Sequence, residues 1–251
     1  MEDDRHEFPD EHESPAPVRL PGEPSVPSEP HASHHHEPRE VVDEPVDVFG
    51  AEEATTALVQ RLEAVSPSSP PGHRSLAPPY SPERDRVDGP ARAPATLVVF
   101  GAFGTPSSRP LGHLLTSLRE RHVSTLAIAW RHYPDPSAHP HAATLALAAE
   151  AAATLYRFWP LAHELLRLHH DDPRDLHGAF LRAGVDPRRA LDAMRAGTGI
   201  DRIVDDVASA RASGVPFSPT LFVNGDHYRG ELELAAVEAA LLQAGPAVRA
   251  G

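Results

Sequence analysis

The chain has 251 residues, no cysteine and a formal net charge of −13. Without cysteine there is no disulfide, no thiolate nucleophile and no Cys-ligated zinc. Residues 1–80 hold 17 acidic side chains against 5 arginines, and the rest 19 against 18, so the acidity belongs to the N-terminal third and no basic patch suited to nucleic acid remains.

Residues 1–48 are rich in Pro, Glu, Asp, Ser and His and poor in large apolar side chains. Such a stretch buries too little surface to offset its conformational entropy, and disorder is expected. It contains His31-Ala32-Ser33-His34-His35-His36, where clustered imidazoles could hold a divalent metal loosely. A biased tract without a specific ligand is the simpler reading. Met1 to Arg5 is acidic and carries no apolar leader. The longest apolar run, Ala142 to Leu155, is broken by Glu150 and too short to span a bilayer. These features predict a cytoplasmic protein without membrane insertion.

Ala54, Leu58, Leu62 and Val65 recur at helical spacing and predict a short helix over 51–65 that docks on the domain or on a partner, or forms only transiently. Ser66 to Pro94 reads as a Pro/Ser linker, so residues 1–94 are taken as tail and linker, with 1–80 removable without loss of the fold, and 95–245 as the folded domain. Ala95–Gly101 is an apolar strand. Helix 1 follows with Leu111, Leu114, Leu115 and Leu118 on one face, and the continuously apolar Thr125–Trp130 reads as a buried parallel strand. A helical insertion spans about 137–213. Its helices are predicted over about 142–156, 160–169, 174–183, 187–196 and 200–212, with Pro173 and Pro187 in first-turn positions. Asn224-Gly225 between Thr220–Val223 and Asp226–Arg229 is a hairpin signal, and a last helix runs from Leu232 to Gln243.

Between the first strand and helix 1 lies Phe103-Gly104-Thr105-Pro106-Ser107-Ser108-Arg109-Pro110. A turn opening a helix presents unpaired N–H groups and a partial positive charge. Thr105 as N-cap with Pro106 at the first helical position accounts for these residues structurally. In a thiol–disulfide enzyme the slots of Thr105, Pro106, Ser107 and Ser108 would read Cys-x-x-Cys. A hydroxyl nucleophile there needs an adjacent base, and His113 lies about two helical turns further on. The pairs His139/His141 and His169-His170 read as structural, and no His/Asp/Glu set has metal-site spacing.

The segments Gly89–Gly101, Arg131-His132-Tyr133-Pro134 with His139-Pro140-His141-Ala142, Gly214–Gly225 and Tyr228-Arg229-Gly230 occur in an order and spacing that resembles the DsbA-like thioredoxin-fold family. The resemblance implies an α/β thioredoxin-like fold with an inserted helical subdomain. It also implies a cis Pro219 beside the Thr105 turn, where Phe217, Ser218 and Pro219 would meet an extended polypeptide. Thr105 and Ser108 stand where that family carries its catalytic cysteines, so a degenerate site without dithiol chemistry is expected, with no cofactor. Two functions follow from the resemblance. One is a redox-inactive binding or chaperone-like module for an extended peptide. The other is an enzyme that binds a glutathione-like thiol or an anionic small molecule at the helix N-terminus through Thr105 or Ser107. Similar domains also occur fused to membrane antiporters.

Overall fold

The computed structural model describes residues 48–65, 75–168 and 175–245. The expected disordered tail, the His31–His36 tract and the His169-His170 pair lie outside them. In chain order the elements are a 3-10 turn (Val48–Ala51), α1 (Glu52–Ala64), β1 (Arg86–Asp88), β2 (Ala95–Gly101), α2 (Ser108–Arg121), β3 (Leu126–His132), α3 (Ala142–Ala153), α4 (Phe158–Arg167), α5 (Leu176–Arg182), α6 (Pro187–Arg195), α7 (Ile200–Ala212), β4 (Thr220–Val223), β5 (Asp226–His227) and α8 (Leu234–Gln243).

One five-stranded sheet runs in the order β1-β3-β2-β4-β5. β2 and β3 pair in parallel through the α2 crossover, and every other pairing is antiparallel. β3 is buried along its whole length, as a continuously apolar run between covered faces should be. The alternation of strand side chains sorts the core into two clusters. Leu97, Val99, Ile128, Trp130, Leu221 and Val223 join the large cluster with side chains from helices α1 to α8. Val98, Phe100, Ala129 and Phe222 face the other way, toward Ala210 and Val215 and a segment carrying Leu76 and Tyr80.

That segment departs from the expected linker. Ser75 bridges Asp226, the Leu76 N–H donates to the Gly225 carbonyl at 2.8 Å, and β1 pairs with β3. The physical reason is Arg131, which is fully buried at the end of β3. Its guanidinium takes both Asp85 oxygens, at 2.8 and 3.1 Å, and donates to the carbonyls of Pro78 and Pro79 and to Ser209 Oγ. A buried guanidinium needs its donors satisfied, and the 78–85 segment supplies most of the acceptors.

α1 is likewise part of the main core: Ala54, Leu58 and Leu62 are buried in it. Polar contacts fix the helix further, from Thr55 to Thr144, from Arg61 to Asp201 and from Arg211 Nη2 to the Leu62 carbonyl. The hairpin turn forms at Asn224 and Gly225, both with positive φ, and Asn224 Oδ1 accepts the Thr96 N–H at 2.8 Å. Asp186 caps α6 by accepting the N–H groups of Arg188 and Arg189, with Pro187 in the first turn.

Candidate functional site: a cysteine-free turn beside Ser218–Pro219

β2 ends at Gly101, where a Cβ would come within 2.3 Å of the Trp130 ring. Glycine there lets Trp130 stack on Phe103, with centroids 4.6 Å apart and planes 9° from parallel. This fixes how the chain leaves the strand. Gly104 turns it with φ 68°, and Thr105 to Ser108 then form a tight turn closed by the Ser108 N–H on the Thr105 carbonyl at 3.0 Å.

α2 therefore starts at Ser108, with Ser107 in the N-cap position and no side-chain cap. This corrects the reading of Thr105 as N-cap and Pro106 as first helical residue. Those two residues form the turn before the helix. The hydroxyls hydrogen-bond among themselves instead of capping. Ser108 Oγ accepts the Thr105 N–H at 3.0 Å and donates to the Ala102 carbonyl at 3.2 Å. Thr105 Oγ1 lies 3.1 Å from both Ser107 Oγ and Ser108 Oγ. Ser108 is buried, whereas Thr105 and Ser107 are half-buried. Among the described residues no imidazole or carboxylate is hydrogen-bonded to these hydroxyls.

Facing the turn is the loop before β4. Its Ser218–Pro219 peptide is cis, Pro219 is buried, and Phe217 stands 65% exposed. Thr220 Oγ1 ties the loop back by donating to the Phe217 carbonyl at 2.7 Å. Among the described residues neither the N–H nor the carbonyl of Ser218 takes a backbone partner.

Thr105, Phe217 and Ser218 line one cleft of about 590 Å³. Pro219 lines a second, of about 440 Å³, with Phe217 again in its wall. Ser107 lines neither. Much of the first cleft was not foreseen from sequence. Val59, Leu62 and Glu63 of α1 form one wall, Tyr133 to Ser137 after β3 another, and Arg211 of α7 and His139 complete it. The helical stripe at Ala54, Leu58 and Leu62 was the sequence signal for α1, but it carried no address.

Behind the site lies a second feature that spacing did not reveal. Trp130 Nε1 donates to His132 Nδ1 at 3.3 Å, so the other ring nitrogen of His132 carries the proton and donates to Glu150 Oε1 at 3.0 Å. Arg86 takes the same carboxylate from the other side. Burial alone would raise the Glu150 pKa. The hydrogen bonds from His132 and Arg86 outweigh it and bring the value down to about 2. The His132 N–H donates to the buried Asp206.

A parallel βαβ unit, an inserted helical block and a closing hairpin define the thioredoxin fold in its DsbA-like form. The chain belongs to the thioredoxin family, whose model, described as Thioredoxin, matches residues 81–243. It is a degenerate, cysteine-free member. Among solved structures it is similar to oxidised BdbD from Bacillus subtilis (15% identity, 67% of this chain and 97% of that one, TM-score 0.55). It is also similar to a thioredoxin-like oxidoreductase from Silicibacter pomeroyi DSS-3 (18%, 64% and 92%, TM-score 0.56). At such identities the likeness is one of fold. In sequence it resembles the Na(+)/H(+) antiporter NhaA 1 of Mycolicibacterium gilvum, with 36% identity over 189 residues, 74% of this chain and 30% of the antiporter. The NhaA 1 of Salinispora arenicola shares 35% over 206 residues, 76% of this chain and 30% of that protein. The chain thus spans under a third of the length of these relatives. No described helix is long and apolar enough to cross a membrane.

Proposed function

We propose that this chain is a redox-inactive thioredoxin-fold binding module, which holds an extended polypeptide in the cleft between the Thr105 turn and the Phe217–Ser218 loop. The chemistry removes the alternative of disulfide exchange, since a mixed disulfide needs a thiolate and the chain has no cysteine to supply one. The observation that carries the reading is the Ser218 backbone. Among the described residues it takes no backbone partner, and so offers a donor and an acceptor beside an exposed Phe217 ring at the edge of a cleft of about 590 Å³. An extended segment pairs with such a backbone as a short added strand, while the ring supplies apolar contact. The test is amide hydrogen exchange of the full chain with and without a carboxymethylated, permanently unfolded polypeptide. Slowed exchange at Ser218 and its neighbours is expected. Binding that leaves 216–218 and 102–108 unprotected would overturn the proposal.

A further inference from the structure

The cleft has a wall that lies outside the stretch matched by the family model. That stretch begins at residue 81, yet Val59, Leu62 and Glu63 of α1 line the cavity opposite Thr105 and Phe217. Two carboxylates, Glu63 and Asp135, border this space; among the described residues neither lies within 4 Å of a basic nitrogen, and His139 acts on Asp135 only at longer range. Asp135 is held in place as an acceptor for the N–H and hydroxyl of Ser137 and the N–H of Ala138. Of the two basic groups in the lining, Arg211 donates to the Leu62 carbonyl at 3.2 Å, on the negative C-terminal end of α1, and His139 is the other. Two aromatic rings, Tyr133 and the exposed Phe217, complete the surroundings.

We infer that the cleft selects an extended segment bearing an arginine, whose guanidinium enters between the Tyr133 and Phe217 rings and meets the carboxylates of Glu63 and Asp135. The inference rests on the peptide-binding reading above and names its substrate class. Charge complementarity favours a cation here, because two carboxylates border the cleft against one guanidinium, and the Nη2 of that guanidinium already donates to the Leu62 carbonyl. Planar, weakly hydrated guanidinium suits the rings better than a compact ammonium does, since it stacks on aromatic faces and forks onto carboxylates. Val59 and Leu62 offer apolar contact to the methylene stem, as arginine stems prefer. α1 thereby acts as a specificity element added to the thioredoxin scaffold.

The experiment uses two fluorescein-labelled eight-residue peptides of Thr, Val and Ser that differ only at one central position, Arg or Glu. Fluorescence anisotropy measures their binding to the full chain and to the double variant Glu63→Gln plus Asp135→Asn. Both sites are exposed, and Asn keeps an acceptor for the Ser137 turn, so the variant should fold, which circular dichroism checks. The wild-type protein is expected to bind the Arg peptide about tenfold more tightly than the Glu peptide. The double variant is expected to lose that preference while still binding both. Equal binding of the two peptides by the wild type, or a preference that survives in the double variant, would overturn the arginine selection and leave the peptide-binding reading standing. Binding of neither peptide would overturn both.

Discussion

Ser108 and Glu150 show how residue chemistry at this site is spent on structure. Ser108, where the sequence resemblance would place a catalytic cysteine, has its hydroxyl turned inward onto the Thr105 N–H and the Ala102 carbonyl. The identity of this turn was legible in the sequence, since a strand followed by small polar residues and a helix is a strong local pattern. Its hydrogen bonding was not, because three hydroxyls within four residues can satisfy one another in several ways. Glu150 was legible only as an interruption of an apolar run. The structure gives it His132 and Arg86 as partners and a pKa of about 2, against an ordinary 4.5. Above pH 4.5 the carboxylate is ionised both folded and unfolded, and its full stabilisation is present. As pH falls from about 4.5 toward about 2 the unfolded chain takes up the proton first, and the contribution is lost. It amounts to about 3 kcal/mol, from the spacing of the two values. Urea unfolding of wild type and Glu150→Gln from pH 2 to pH 7 should show a stability difference that grows across this window and is flat above it. A difference independent of pH would mean that the pair contributes by packing alone.

At the scale of elements, the parallel β2-α2-β3 unit, the helical block and the Asn-Gly hairpin were readable from periodicity and turn chemistry. β1 was not. Arg86-Val87-Asp88 is three residues long with two of them charged, and it is a strand only because β3 presents an edge and Arg131 anchors the preceding segment. The α1 stripe was expected as a short helix and placed with the tail, because four apolar residues do not say what they pack on. Its Leu58 and Leu62 are buried in the main core. At about 1.5–3 kcal/mol for each fully buried large side chain, deleting residues 1–74 should cost on the order of 5 kcal/mol. Comparing urea midpoints of the full chain and of 75–251 checks this. A fragment as stable and as cooperative as the full chain would show that α1 rests on the core without contributing to it.

For the whole molecule, the charge partition and the fold belong together. The thioredoxin-fold body is near-neutral, and the excess acid lies in the N-terminal third. The absence of cysteine, which leaves no thiolate for disulfide exchange, also provides the most direct test of binding, because Thr105→Cys would introduce a single thiol lining the cleft. A matching control is Thr154→Cys, an exposed position at the end of α3. Each variant is reacted with a small aromatic disulfide reagent and, separately, with an extended peptide whose one cysteine carries the same thionitrobenzoate leaving group. The small reagent reports how reactive each thiol is in itself. If the cleft holds extended polypeptide, the peptide should favour position 105 over position 154 by about tenfold more than the small reagent does, through raised local concentration. The same ratio for both reagents would show that the peptide gains nothing from the cleft, and would contradict the account.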